Sequence, residues 1–400
     1  MAVLYSQRCC QICLSKKRLL DNGIKTWRWN KMKFVEILLS DIEKYKDNWN
    51  KIQDKIEKSE TIGIWGTGLA AQQVYKDLYA MGYMPAFFSD NDQKKWGTLY
   101  QNIKVISIDE IPRNSLVIIC ANVKYQIHQQ LQKAGIDNYM YIDPEYFQCL
   151  PNEQVRDTIN LNADKIEQVY AVLADTESKQ VFRNILLHRA VHDLELVWKV
   201  YEENQYFGNR IVKRVSGNFV DCGACEGDTL QRFLIQIGGG VNQNYHYYAF
   251  EADRDNFEIL ENYCQSKGLT NVKCYNMGVW DQAQELFFAI GDDFVSGTLL
   301  DSDAGKKAIK IDVDAIDHIL DGKRIDFISM DIEGSEIKAL EGARKSIQKW
   351  SPVLAISAYH KLEHLWEIPL LIKEINPKYD IFYAHHRWNM DDTVCYAKES

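Results

Sequence analysis

The sequence predicts an α/β protein with two parallel-sheet units in tandem, the smaller one first, joined by a helical connector. Three observations carry that prediction. Short apolar runs alternate with amphipathic stretches from Thr61 to Ile142 and again from Asn218 to Ala397, the pattern of strands linked by helical crossovers. Between them apolar residues recur at helical spacing: Ile166, Val169, Tyr170 and Leu173, then Val181, Phe182, Ile185 and Leu186, then Leu194, Val197, Trp198 and Tyr201. A chain of 400 residues also exceeds the usual single core.

The amino-terminal segment, residues 1–60, reads as helical, with Phe34, Ile37, Leu38, Ile42 and Tyr45 on one face before a charged run. In residues 61–145, Ile62-Gly-Ile-Trp65 runs into Gly66-Thr-Gly68-Leu-Ala-Ala71, and a helix from Leu69 to Ala80 follows. Further strands are expected at Ala86–Asp90, Ile103–Ile106, Leu116–Cys120 and Tyr139–Ile142, with a helix over Lys124–Ala134. The result is a small Rossmann-like α/β domain similar to the compact modules of sugar-modifying proteins. Its Gly-x-Gly-x-x-Ala turn with Asp90 downstream fits nucleotide-sugar or dinucleotide binding, and equally a module kept for packing or dimerisation. Residues 146–215 form the helical connector, ending at Asn204-Gln-Tyr206-Phe207.

In residues 216–400 strands are expected at Asn218–Asp221, up to Phe250, Val272–Trp280, Leu286–Ile290, Ile325–Met330, Val353–Ser357, Tyr379–Ala384 and Thr393–Ala397. Helices are expected over Arg254–Lys267 and Glu336–Gln348, and the last two strands should form an antiparallel hairpin. The first strand breaks into Cys222-Gly223-Ala224-Cys225-Glu226-Gly227-Asp228-Thr229, and the second ends at Glu251. A glycine turn, a helix start and an acid on the next strand together suit a nucleotide-like ligand. Asp331, Glu333 and His360 follow later strands, so the polar candidates converge on the carboxyl ends of one sheet.

Composition narrows the partners. A net charge of −9 argues against a grip on nucleic acid. No window approaches a membrane span, and the amino terminus lacks a secretory pattern, so a cytoplasmic location is expected. The ten scattered cysteines read as reduced thiols. Cys10-Gln-Ile-Cys13 lacks a second ligand pair, so it reads as a frayed tail.

Phe219 to Thr229, the Ser296-Gly-Thr-Leu299 segment and above all Ile325-Asp-Phe-Ile-Ser-Met-Asp331-Ile-Glu333-Gly334-Ser335-Glu336-Ile-Lys-Ala-Leu-Glu-Gly342-Ala343 resemble the FkbM family of S-adenosylmethionine-dependent methyltransferases. The resemblance spans about Gln205 to Lys398 and implies a class I seven-stranded Rossmann-like domain that methylates a hydroxyl, commonly of a sugar or polyketide. Many relatives carry Lys-x-Asp where this chain has Ser329-Met330-Asp331, so no contact from that Lys carries over.

With S-adenosylmethionine as cofactor, Asp221, Gly223 and Gly227 are expected near its methionine end, with Thr229 on its carboxylate. Glu251 is expected at the ribose diol, and the Asn276–Val279 turn, with Gly278, along the adenine. Trp280 and Asp281 are candidates for stacking or a base contact, with core packing as the alternative for Trp280. His360 is the expected base for the acceptor hydroxyl, an alcohol being a poor nucleophile before it loses its proton. Capping the next helix, or binding substrate hydroxyls, is its alternative role. Asp331 is expected to hydrogen-bond the methionine moiety or the acceptor. Glu333, His385, His386 and Tyr206 are expected on the acceptor side. No metal is assigned, although Asp331, Glu333 and Glu336 are carboxylates that suit Mg. The acceptor is expected to be a small molecule or glycan precursor, a nucleotide-linked sugar among the candidates, and a homodimer is a candidate assembly. Two rival readings are an NAD-dependent oxidoreductase or epimerase acting at Gly66–Ala71, for which no proton-transfer pair stands out, and a non-catalytic binding protein.

Overall fold

The structure, a computed structural model, describes residues 33–45, 54–120, 124–142, 153–238, 244–290, 297–300 and 308–399. Cys10, Cys13 and Ser296 lie outside them.

The first unit is a six-stranded sheet of β1 (Thr61–Trp65), β2 (Phe87–Ser89), β3 (Leu99–Tyr100), β4 (Ile103–Ile106), β5 (Ser115–Ile119) and β6 (Tyr139–Tyr141), in the order β3-β4-β2-β1-β5-β6. All neighbours are parallel except β3 and β4. Both faces are covered. Ile62, Ile64, Leu116 and Ile118 pack with Val74 and Leu78, while Trp65, Val117 and Ile119 pack with Ile127 and Leu131. That split follows from the two-residue period of a strand and explains the continuous apolar runs. The helix over Leu69–Ala80 starts where expected, at a Gly68 cap.

The second sheet has seven strands: β7 (Phe219–Cys222), β8 (Tyr247–Phe250), β9 (Val272–Tyr275), β14 (Phe327–Met330), β15 (Val353–Ser357), β16 (Asp380–His385) and β17 (Thr393–Lys398). Its order is β16-β17-β15-β14-β7-β8-β9, with β17 antiparallel to both neighbours and the rest parallel. The connector contributes helices Glu153–Leu161, Ala163–Val172, Thr176–Val191 and Leu194–Trp198, while residues after Tyr201 run without a helix. Its Val169, Phe182 and Ile185 share one core with Phe34 and Leu38 of the Phe34–Lys44 helix and with Val220, Ile328, Leu354 and Tyr383 of the sheet. Ser178 Oγ accepts the Tyr383 N–H at 2.9 Å, which ties the connector to edge strand β16.

Three expectations change. The run Val272–Trp280 divides into β9 and β10 (Gly278–Val279). With β11 (Gln284–Ile290), β12 (Gly297–Leu300) and β13 (Ala308–Asp314), β10 makes a separate four-stranded sheet in the order β10-β13-β11-β12, so Leu286–Ile290 is not part of the main sheet. The single helix expected over Glu336–Gln348 is two, Glu336–Gly342 and Arg344–Trp350. The break lies where the chain passes the Trp280 carbonyl so closely that a Cβ on Gly342 would sit 1.9 Å from that oxygen. The helix expected after His360, for which no bounds were set, runs from His364 to Ile375. Among the described residues no helix is long and apolar enough to cross a membrane.

Candidate active site

The parallel strands place their carboxyl ends together. After β7 the turn bends at Gly223, φ 83°, and both Gly223 and Ala224 donate their N–H to Phe250 O of β8 at 3.0 Å. Gly223 also lies against β14, since a Cβ there would meet Asp331 O at 2.0 Å. Gly227, in the left-handed conformation, caps the helix over Asp228–Gln236 and has no side chain to satisfy the first-turn N–H groups, which leaves that end suited to an anionic ligand group. Thr229 is buried in that first turn.

Glu251 follows β8 and is buried. Its carboxylate accepts the Cys225 N–H at 2.7 Å and the Asp253 N–H at 2.8 Å, so one acid spans the glycine turn and the start of the next helix. Burial raises its pKa, opposed by those N–H donors. Asn276 donates to Glu251 O at 3.0 Å and so buttresses the strand end.

Asp221 lies beneath this turn, with Tyr247 donating at 2.6 Å and Ser329 at 2.7 Å. Burial pushes its pKa up to about 7 despite both hydroxyls. Ser329, where the family resemblance breaks, therefore binds Asp221 inside the sheet. Gly278 and Val279 pair with Val313 and Asp314, and the Val279 side chain is buried in the main core, so at that position the turn offers backbone alone. Asp281 is ion-paired to Lys338 at 2.7 Å.

On the other side of the mouth, Asp331 ends β14 and His360 follows β15. Tyr359 donates to Asp331 Oδ1 at 3.0 Å, and the Tyr206 hydroxyl lies 3.5 Å from Oδ2. His360 Nε2 lies 3.4 Å from Asp331 and 3.3 Å from Glu333, while its Nδ1 lies 3.0 Å from Glu336. Burial opposes charge on this ring, but Glu333, Glu336 and Asp331 outweigh it and hold its pKa at about 10. An imidazole that already carries both protons cannot take another, so the expected role of His360 as the base conflicts with these surroundings. Burial pushes Asp331 up to about 7, against the pull of His360. Glu336 is fully buried; burial would raise it, but His360 and His364 hold it well below the usual carboxylate range. Glu333 sits at φ 54°, an uncommon conformation for a side-chain-bearing residue, with its carboxylate turned to His360.

The two histidines at the end of β16 reach the same edge of the sheet but are buried. His385 is fully buried between Thr393 Oγ1 and Asn389 O, both at 2.8 Å, and burial depresses its pKa to about 3. His386 is held between Glu202 O and the Tyr396 hydroxyl, also at 2.8 Å. Their expected acceptor contacts are corrected to structural ones, because both nitrogens of each ring are already satisfied. Tyr359 and His364 join Glu336 in the cluster and were not picked out; only the position of Tyr359 beside His360 after a strand signalled them.

In the first unit Asp90, which a dinucleotide reading needs free, binds Thr67 at 2.6 Å and Lys95 at 2.9 Å.

A seven-stranded sheet with an antiparallel edge hairpin and a glycine turn facing an acid on the next strand defines a class I methyltransferase fold. The methyltransferase FkbM domain matches residues 221–389, and this part of the chain is an FkbM-family, S-adenosylmethionine-dependent methyltransferase domain. The crystal structure of methyltransferase FkbM from Methylobacillus flagellatus KT is similar over 91% of this chain and 100% of that one, at 22% identity and a TM-score of 0.65. The precorrin-6y C5,15-methyltransferase from Geobacter metallireducens GS-15 aligns with 47% of this chain and 82% of its own, at 11% identity and a TM-score of 0.28. Aeropyrum pernix fibrillarin, with natively bound S-adenosyl-L-methionine, aligns with 46% of this chain and 67% of its own, at 9% identity and a TM-score of 0.29. No curated protein matches the chain.

Proposed function

We propose that the protein O-methylates a hydroxyl of a sugar or glycan precursor, with nucleotide-linked sugars as the acceptors to test first. The observation that carries this reading is the mouth itself: Asp331 at a strand end, with the Tyr206 and Tyr359 hydroxyls on its two oxygens and Glu333 beside it. Carboxylates and phenols suit a ligand bearing several hydroxyls.

The cradle fits S-adenosylmethionine on one structural test. Gly223 is pressed against Asp331 so tightly that any side chain would collide, which keeps the turn open beside an uncapped helix start and a buried acid. Glu251 would take the ribose hydroxyls, and the Gly223–Thr229 turn the methionine end. The cofactor supplies an activated methyl group. The chain's own task is to hold an acceptor oxygen in line with it and to receive the hydroxyl proton. Asp331 is the proton acceptor in this reading, since His360 is clamped by carboxylates.

Incubation with radiolabelled S-adenosylmethionine and a panel of nucleotide-linked sugars tests the proposal. Label transferred to a sugar hydroxyl supports it. Cofactor binding with transfer only to non-glycan acceptors would replace the acceptor class and keep the methyltransferase.

A further inference from the structure

The donors around His360 carry an inference that does not depend on the acceptor. The His360 side chain is 8% exposed, yet its ring nitrogens face their carboxylate partners without the geometry of a hydrogen bond. Leaving a buried donor or acceptor unsatisfied costs about 1–3 kcal/mol. Nε2 instead faces Asp331 Oδ1 at 3.4 Å and Glu333 Oε2 at 3.3 Å.

Those are the separations of ligands around a metal rather than of a hydrogen-bonded pair. With metal–donor distances of about 2.0–2.2 Å, neighbouring donors stand about 2.9 Å apart at right angles and about 3.4 Å apart in a tetrahedral set. Behind the ring, Nδ1 faces Glu336 Oε1 at 3.0 Å, and that oxygen is anchored by the N–H groups of Ile332 and Gly334 at 3.0 and 3.3 Å. A carboxylate behind a histidine whose other nitrogen faces outward is the arrangement that orients a metal-bound imidazole. Asp331, Glu336 and His360 each place one donor atom within 4.8 Å of the others, and Glu333 joins this group through its 3.3 Å approach to His360 Nε2.

We propose that Asp331, Glu333 and His360 bind a divalent first-row transition cation, with Glu336 orienting the imidazole. An imidazole among the carboxylate oxygens favours a first-row transition cation over Mg²⁺, and Mn²⁺ also accepts the carboxylates. Three carboxylates around one histidine leave the pocket anionic, and a cation entering it releases the second imidazole proton to solvent. If the methyl-transfer reading also holds, such a cation would make an acceptor hydroxyl more acidic, with Asp331 Oδ1 as its ligand and Oδ2, beside the Tyr206 hydroxyl, left to take the proton.

The test is a Mn²⁺ titration of the chelator-treated full chain, without S-adenosylmethionine or acceptor, reading free Mn²⁺ by electron paramagnetic resonance. One Mn²⁺ per chain is expected, bound at least tenfold more weakly by Glu333→Gln and His360→Ala. Glu333 is partly exposed and its replacement leaves the core alone, so that variant decides the matter if His360→Ala fails to fold. No binding at millimolar Mn²⁺, or binding unchanged in Glu333→Gln, overturns the site. Specific Mn²⁺ binding in a protein that transfers no methyl group supports the site and counts against the proposed reaction instead.

Discussion

Glu251 and Cys225 are joined by a 2.7 Å hydrogen bond from the Cys225 N–H to the Glu251 carboxylate, which fixes the glycine turn after β7 to the end of β8. The second Glu251 oxygen holds the Asp253 N–H at 2.8 Å, where the next helix begins. This acid therefore shapes the cradle as well as presenting charge to it. Glu251→Ala is expected to weaken S-adenosylmethionine binding roughly 10- to 100-fold, the worth of one or two charge-assisted hydrogen bonds, and to cost about 1–2 kcal/mol of stability. Calorimetric titration and thermal unfolding read the two effects separately. Unchanged affinity would remove Glu251 from the cofactor site.

Gly223 and Asp331 meet just as closely, backbone to backbone. A methyl group at Gly223 would have to occupy space 2.0 Å from Asp331 O, at a φ of 83° that L-residues rarely adopt. Gly223→Ala is expected to cost on the order of 3 kcal/mol and to displace the end of β14. Both S-adenosylmethionine affinity and turnover should fall, because the two halves of the site share this contact. Gly238→Ala is the control: its φ is equally positive, but a Cβ there meets nothing within 4 Å. It should lose stability through strain alone and keep cofactor affinity.

Much of this was legible in the chain. Strands such as Ile103–Ile106 and Val353–Ser357 lie where expected because their apolar runs end at turn residues. Glu251, Asp331 and His360 could be placed because a residue after a parallel strand must lie at the sheet's carboxyl edge. The Ala308–Asp314 strand carries a signal of its own, Ile309, Ile311 and Val313 alternating with charged residues at the two-residue period of a half-buried strand. Other features lacked a local signal. The His364–Ile375 helix carries Pro369 in its interior, which argues against a helix until packing overrides it. The fates of His385 and His386 were hidden for a different reason. Whether a histidine is open or satisfied depends on partners such as Glu202 and Tyr396, which only the tertiary fold brings together.

Asp331→Asn tests the proton-accepting role. The amide keeps the shape of the side chain and can still bond the Tyr359 and Tyr206 hydroxyls, but it cannot take a proton. Turnover is expected to fall roughly 10²- to 10⁴-fold, with S-adenosylmethionine affinity changed less than about threefold, or ~0.6 kcal/mol. Full turnover in a single-turnover methyl-transfer assay would move the proton elsewhere.

Asp221 offers a prediction in pH. It is buried between the Tyr247 and Ser329 hydroxyls, and burial lifts its pKa from 3.8 to about 7. Between those values the folded chain binds a proton that the unfolded chain has lost, so this group's contribution to stability declines as pH rises and levels off above about 7. At about 1.4 kcal/mol per pK unit the full decline is ~4 kcal/mol as an upper figure. Asp221→Asn removes the titrating group, and its amide can still pair with both hydroxyls. Relative to wild type, the variant is expected to gain stability steadily from pH 4 to pH 7 and then hold a constant advantage. Denaturant unfolding of both proteins across that range checks this. A stability difference independent of pH would mean that Asp221 is ionised in the fold throughout, and that the Tyr247 and Ser329 hydroxyls are enough to keep a buried carboxylate charged.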